Sequence, residues 1–357
     1  MKIDFAISSL RRGGGERVLV TIANNLVKRG HDVRIIVFID SVEYVLDKKI
    51  QLVKLKTGIF SNETLRYTHE LFKIYRKKRL RPDVLISFMT QTNLSAILVA
   101  KLFKIKVIAS EHTNHSRTST NKTLVDFTRK YIYRFANKIT ILTNYDLTYY
   151  KKNGCDVLIL PNPCSFSNKN FKNNAPKEKT ILAVGSLDKY KIKGFDNLLV
   201  LIAPILKKHK DWSLMFVGES LNNGGDFLLN LATNLKIQNQ VIFAGLRDDV
   251  QQIMAKSEIF VLSSRTEGLP MVLIEAMSQN MCCIAYDCIS GPSDIINHDV
   301  NGILIENQNT TDMASAINKV IENPELRKKL ANKANEVLIK FDENLICDKW
   351  EYLIKNI

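Results

Sequence analysis

The chain has 357 residues, 45% hydrophobic and 24% charged, with few Gly and Pro; this excludes disordered and fibrous classes and leaves enough length for two hydrophobic cores. Its net charge of +15 is uneven, because residues 1–165 hold 29 Lys and Arg against 13 Asp and Glu, a net +16, while the remainder carries −1. No run approaches the roughly 18 apolar residues of a membrane span. The N-terminus reads as a strand rather than a signal peptide, and the six cysteines form no C-x-x-C pair, so the expectation is a cytoplasmic protein with reduced thiols.

In chain order, Lys2 to Ser8 is an apolar strand pattern interrupted by Asp4, followed by Gly13, Gly14 and Gly15 and a helical pattern from Val18 to Arg29. Strand, glycine loop and helix form the layout of a phosphate cradle, or of a tight turn with no ligand. Gly30 to Phe38 reads as a helix stop and second strand, and Ile50 to Leu55 as a third. A helix is expected from Glu63 to Arg81, with Leu65, Leu71, Phe72 and Tyr75 on its apolar side and Arg76, Lys77, Lys78 and Arg79 elsewhere. Such a basic amphipathic helix either lies on an anionic membrane surface or is a solvated face. Val84 to Phe88 and Val107 to Ser110 alternate with helices as βα units, and the second runs into Glu111-His112-Thr113-Asn114-His115 at the carboxyl end where parallel sheets place functional loops. His112 is either a loop histidine or a site residue, and nothing singles out His115. Strand patterns at Lys138 to Leu142 and Val157 to Leu160 lead into Pro161-Asn162-Pro163.

The polar, Asn- and Lys-rich stretch around 166–179 reads as a linker, after which the βα rhythm restarts at Thr180 to Gly185. The expected organisation is an N-terminal domain 1–165, a linker 166–179, a C-terminal domain 180–341, and a last helix 342–357 that crosses back to the first domain. Lys189, Lys191 and Lys193 cluster after Gly185 and Ser186. The strand Ile259 to Leu262 feeds Ser263-Ser264-Arg265-Thr266-Glu267-Gly268-Leu269-Pro270 and then a helix carrying Glu275. Pro270 suits the first helical position, Gly268 lets backbone N–H groups approach a ligand, and the helix N-terminus favours an anion. Two acids, Glu267 and Glu275, bracket this anion site. A sugar nucleotide satisfies both demands, since a carboxylate accepts hydrogen bonds from neighbouring hydroxyls while a diphosphate meets the helix end.

The run from Glu267 to Ala276, two glutamates separated by seven residues around Gly-Leu-Pro, resembles the signature of family-four retaining glycosyltransferases. That resemblance implies an α/β protein of the GT-B fold, two doubly wound Rossmann-like domains facing a central cleft. It also implies transfer of a hexose or N-acetylhexosamine from a UDP-sugar to a glycan hydroxyl with retention of configuration, as a hexosyltransferase with no cofactor and no metal. Glu275 would bind the ribose, and Glu267 with Gly268, Leu269 and Pro270 the sugar. Lys193, from an element similar to the family's G-R-L…K-G, would hold the diphosphate. Ser186 stands where that element usually has Arg, and Lys191 or Lys189 is expected to replace its charge. Gly14 and Gly15 match the family's glycine loop, His112 its histidine close to the donor sugar, and Arg247 lies in a segment similar to the one that holds the base. Similar enzymes extend polyprenyl-diphosphate-linked glycans for O-antigen, capsule or glycoprotein, so the implied acceptor is lipid-linked and the implied location is peripheral, on the inner face of the plasma membrane. The alternatives are a UDP-sugar epimerase of the same architecture and a basic nucleic-acid-binding protein. Nucleic acid is not expected, because no reading helix or aromatic binding strand accompanies the basic half.

Overall fold

Every strand pairing among the described residues is parallel, and the strands fall into two separate sheets. The computed structural model describes residues 1–11, 13–55, 60–116, 121–166 and 176–357. The first sheet contains β1 (Lys2–Ile7), β2 (Asp32–Val37), β3 (Gln51–Lys54), β4 (Val84–Phe88), β5 (Lys106–Ser110), β6 (Lys138–Ile141) and β7 (Val157–Ile159), in the order β3-β2-β1-β4-β5-β6-β7. The second contains β8 (Glu178–Val184), β9 (Ser213–Val217), β10 (Val241–Phe243), β11 (Ser257–Leu262), β12 (Cys282–Asp287) and β13 (Ile303–Glu306), in the order β10-β9-β8-β11-β12-β13. The chain divides accordingly into one unit of Met1–Pro163 with Glu343–Ile357 and another of Cys164–Asp342. Apolar runs such as Val84–Phe88, buried at every residue, are what a parallel strand covered on both faces requires.

In the first unit the covering helices are α1 (Gly14–Lys28), α2 (Glu63–Tyr75), α3 (Thr90–Phe103), α4 (Lys122–Phe127) and α5 (Leu147–Lys152). The second has α6 (Tyr190–Lys193), α7 (Phe195–Lys208), α8 (Gly224–Asn234), α9 (Val250–Lys256), α10 (Met271–Ser278), α11 (Pro292–Ile295), α12 (Thr310–Glu322), α13 (Pro324–Ala334) and α14 (Leu338–Phe341), while α15 (Glu343–Lys355) packs on α1 of the first unit. Trp350 and Ile354 of α15 join Val18, Ile22 and Leu26 of α1 in the core on one face of the first sheet; α2 and α3 build the core on its other face. In each sheet the strand order reverses direction once, between β1 and β4 and between β8 and β11. In open α/β sheets, ligands bind outside the carboxyl ends of strands at such switch points. The loops that leave these strands are the glycine loop after β1, the Gly185–Lys193 segment after β8 and the Ser263–Pro270 segment after β11.

Several elements differ from the sequence expectation. The helix expected to run to Arg81 ends at Tyr75: Lys77 is extended (φ −85, ψ 103), Lys78–Leu80 is a 3₁₀ turn, and Arg81 Nε donates to the Tyr75 carbonyl at 2.7 Å. The four consecutive cations therefore follow the helix instead of lining it. Its buried face is Tyr67, Leu71 and Tyr75, whereas Leu65 and Phe72 are exposed. α1 begins at Gly14, four residues before the expected Val18, so the glycine loop is largely the first helical turn. Pro270 is the N-cap of α10 and Met271 its first residue. Glu178 and Lys179, assigned to the linker, belong to β8, and 167–175 lie outside the described residues. Asp4 inside β1 is satisfied by Arg34 through Nε (2.9 Å) and Nη2 (2.5 Å) and by the Tyr75 hydroxyl at 2.6 Å. All six cysteines are free and buried, and burial pushes the Cys164 thiol up to about 11.

Candidate active site

In the second unit, the loops after β8 and β11 are fastened to each other. Ser263 Oγ donates to the Lys193 carbonyl at 2.8 Å, the Arg265 amide donates to the Ile192 carbonyl at 2.8 Å, and the Arg265 guanidinium reaches the Lys191 carbonyl while gripping both oxygens of Asp196 at 2.8 and 3.0 Å. The approach is so close that a Cβ on Gly194 would lie 2.0 Å from the Ser263 carbonyl oxygen, and Gly194 also has φ +67, so glycine is required there twice over. This seam brings the Lys193 ammonium to within 2.8 Å of Glu267 Oε1, which also accepts from Ser264 Oγ at 2.6 Å. The lysine stem lies along Gly185, whose missing side chain leaves room for it.

Past Glu267, the chain enters α10 through Gly268, whose carbonyl accepts from Ser290 Oγ at 2.8 Å, then Leu269, which is buried, and Pro270. No side chain of the N-cap residue accepts from the first turn of α10, so its N–H groups retain the partial positive charge of a helix end. Glu275 is nearly fully buried on the second turn of the same helix. A cation and one acid thus meet just ahead of a helix N-terminus at the switch point of the second sheet, and a second acid is buried on that helix.

The corresponding place in the first unit has a different chemistry. Gly15 lies against the loop ends of β4 and β5: a Cβ there would stand 2.6 Å from Met89 Cε and 3.6 Å from His112 Cγ. Met89, with φ 73, holds a conformation that is uncommon outside glycine. Gly14, by contrast, faces open space. The His112 ring stacks on Phe88 at 4.7 Å, and its Nε2 lies 3.0 Å from Ser110 Oγ, which itself accepts from Thr140 Oγ1 at 2.8 Å. Burial lowers the imidazole pKa to about 4, against a smaller opposing effect of the Glu111 carboxylate, so the ring is neutral near pH 7. The Ser110 contact engages Nε2, while Nδ1 is buried without a partner. His112 therefore keeps one ring nitrogen that no described residue of the first unit engages.

Sequence reasoning missed the residue that holds this loop. Glu111 is buried and accepts from Thr90 Oγ1 at 2.7 Å, Tyr133 OH at 2.8 Å, Thr113 Oγ1 at 2.9 Å and Arg129 Nε at 3.3 Å. Burial opposes its charge, yet Arg129 and the hydroxyl donors hold its carboxyl below the ordinary 4.5. Arg129 Nη1 also donates to the His115 carbonyl at 3.2 Å, and His115 Nδ1 meets Asp146 Oδ1 at 2.6 Å. No motif marks these partners, which come from α3, the segment after α4 and the segment after β6.

Arg247 is engaged with Asp249 at 2.7 and 2.8 Å on the surface, Lys191 is exposed with its carbonyl taken by Arg265, and Ser186 precedes a 3₁₀ turn without capping it. Among the described residues, no group of three or more His, Cys, Asp or Glu is placed to hold a metal ion.

Comparison with known proteins matches residues 12–165 to the model of Glycosyltransferase Family 4 and residues 165–337 to that of Glycosyl transferases group 1. An uncharacterized glycosyltransferase of Haemophilus influenzae is 32% identical over 99% of both chains. A Campylobacter jejuni protein, named as a GalNAc-alpha-(1->4)-GalNAc-alpha-(1->3)-diNAcBac-PP-undecaprenol alpha-1,4-N-acetyl-D-galactosaminyltransferase, is 30% identical over 100% of this chain and 99% of its own. Among solved structures, an Anabaena protein in complex with UDP and glucose superposes with a TM-score of 0.81 at 18% identity over 100% of both chains, a likeness of fold.

Proposed function

The chain belongs to the glycosyltransferases that join a family 4 N-terminal domain to a group 1 C-terminal domain in the GT-B fold, and from that membership we propose that it moves a hexose or N-acetylhexosamine from a UDP-sugar to a hydroxyl of a polyprenyl-diphosphate-linked glycan, with retention of configuration. The observation that carries the donor reading is the Lys193–Glu267 pair at 2.8 Å, with Glu267 four residues before the first residue of α10, the helix that carries the buried Glu275. A diphosphate arriving at α10 offers Lys193 a doubly charged partner. The exchange releases Glu267 to accept from the sugar hydroxyls, while Glu275 accepts from the ribose. As the bond between the anomeric carbon and the phosphate oxygen lengthens, negative charge grows on the leaving diphosphate. An oriented ammonium and a helix end stabilise that charge without a metal. The acceptor oxygen forms its bond on the same face and its proton passes to the departing phosphate oxygen, so no carboxylate nucleophile is needed. His112, neutral with an unsatisfied Nδ1, offers that ring nitrogen to a hydrogen bond with substrate.

The undecaprenol-linked substrate in the name of the Campylobacter relative supports a lipid-linked acceptor, and the +16 on residues 1–165 supports work at an anionic membrane surface, the inner face of the plasma membrane. Among the described residues no helix is long and apolar enough to cross a bilayer. The test is incubation with a panel of UDP-hexoses and UDP-N-acetylhexosamines and a short-chain polyprenyl-diphosphate glycan, in the presence of excess chelator. Transfer with an α-configured product, read by NMR, is expected. An isomerised UDP-sugar formed without acceptor would replace this reading with an epimerase.

A further inference from the structure

Three helical segments cover one face of the first sheet side by side: α2, then α3, then α4 continued through a π turn (Thr128–Ile132) and a 3₁₀ turn (Tyr133–Phe135). Their outer surfaces invert the usual pattern. In the last segment, Thr128 and Arg129 are buried whereas Phe127, Tyr131 and Phe135, four residues apart, are exposed by 49, 44 and 49%. An amphipathic helix of a soluble domain puts such a stripe inward. In α3, the exposed residues are Leu98, Lys101 and Leu102, the last by 63%; in α2, Leu65 is exposed by 55%. Cations are interleaved with these side chains: Lys130 Nζ lies 5.3 Å and Arg134 Cζ 5.9 Å from the Tyr131 ring centre, and Lys73, Arg76, Lys101 and Lys104 are exposed on α2, on α3 and just beyond their ends. Against them stands the exposed Asp126, while Glu70 is held by Lys73 and Glu63 by Gln91.

We propose that this outer face of the α2–α3–α4 layer docks on an anionic lipid bilayer, its aromatic and leucine side chains entering the headgroup region and its cations meeting lipid phosphates. Charge selects the occupant. The core of a protein interface is depleted in lysine, whereas lysine beside exposed aromatic residues fits a membrane, where the stem lies along apolar surface and the ammonium reaches the headgroups. This surface deepens the membrane part of the reading above and places the contact on the helical layer itself, with the cations of residues 76–79 at its border. It also predicts a behaviour that charge alone does not: binding that survives added salt in part, because apolar insertion is not screened.

The first experiment uses a Phe127→Trp variant. Trp212 and Trp350 are both buried, so a change in emission reports position 127. Vesicles of phosphatidylglycerol and phosphatidylcholine should shift its emission to the blue, and brominated acyl chains should quench it; pure phosphatidylcholine should do neither. The second is a combined variant, Leu98→Gln, Leu102→Gln and Tyr131→Gln, at exposed positions outside the candidate active site. Its partition onto anionic vesicles should fall at least tenfold with the melting temperature unchanged. Neither experiment uses donor or acceptor, so failure here leaves the glycosyltransferase reading standing, and failure of transfer leaves this surface standing. Unshifted emission from the Phe127→Trp variant, or a combined variant that sediments with vesicles like the unmodified protein, would overturn the proposal. So would a combined variant that turns a dimer in solution into a monomer with vesicle binding intact, since the face would then pair two copies of the chain.

Discussion

At the carboxyl end of β11, Lys193 and Glu267 form an ion pair of 2.8 Å with side chains 22 and 13% exposed, whereas at the carboxyl end of β5, Glu111 and Arg129 meet at 3.3 Å with side chains 1 and 3% exposed. The first pair is joined by the Ser264 hydroxyl and has solvent within reach; the second is enclosed by Thr90, Thr113 and Tyr133. Desolvation makes the difference. A half-open pair can exchange partners when a phosphate arrives, but a buried pair whose remaining lone pairs are all taken cannot separate without leaving an uncompensated charge. The second unit thus leaves its charged pair half open, whereas the first encloses its pair and so fixes a loop that carries a neutral histidine.

The largest effect that follows is on the buried pair. Arg129→Met strands Glu111 and should cost about 3 to 5 kcal/mol of stability, whereas Lys193→Ala should lower the melting temperature little. The Glu111 carboxyl is held below its ordinary 4.5, so its contribution is complete above that pH and is lost as pH falls through the depressed value. Thermal unfolding of the Glu111→Gln variant should therefore lack part of the acid-side decline seen in the unmodified protein. Equal melting temperatures for Arg129→Met and Lys193→Ala would erase the contrast between the two pairs.

Next in size is turnover. Lys193→Ala should reduce kcat by roughly a hundredfold, the scale of losing one donor to a charge that develops in the transition state. Steady-state rates at saturating donor measure it, and a change confined to KM would mean that the lysine only binds. The smallest effect belongs to Arg247, which is paired with Asp249 on the surface where solvent screens both charges; Arg247→Ala should leave the melting temperature nearly unchanged.

The alternation of buried apolar runs with amphipathic segments made both parallel sheets legible in the sequence, because each strand is covered on two faces and each helix on one. The loops after β8 and β11 were legible for a related reason: Lys193-Gly194 and Gly268-Leu269-Pro270 are local devices, and local geometry is what residue order encodes. The end of α2 was not, since a run of cations neither stops nor continues a helix by itself and the stop depends on Arg81 folding back to Tyr75. Nor was Glu111. Apart from the neighbouring Thr113, its donors lie 18 to 22 residues away in sequence, on segments whose convergence only the fold creates. The spacing of Phe127, Tyr131 and Phe135 would by pattern belong to a core, and only their exposure assigns it elsewhere.

The partner exchange at Lys193 is tested most directly by titrating UDP into Glu275→Gln and Glu267→Gln by calorimetry. Glu275→Gln removes charge-assisted ribose hydrogen bonds worth about 1.5 to 3 kcal/mol and should weaken UDP about tenfold or more. Glu267→Gln removes the partner that competes with the diphosphate for Lys193, so UDP should bind no more weakly than to the unmodified protein while transfer falls. Equal weakening in both variants, or unchanged UDP affinity in a folded Glu275→Gln variant, would contradict the assignment.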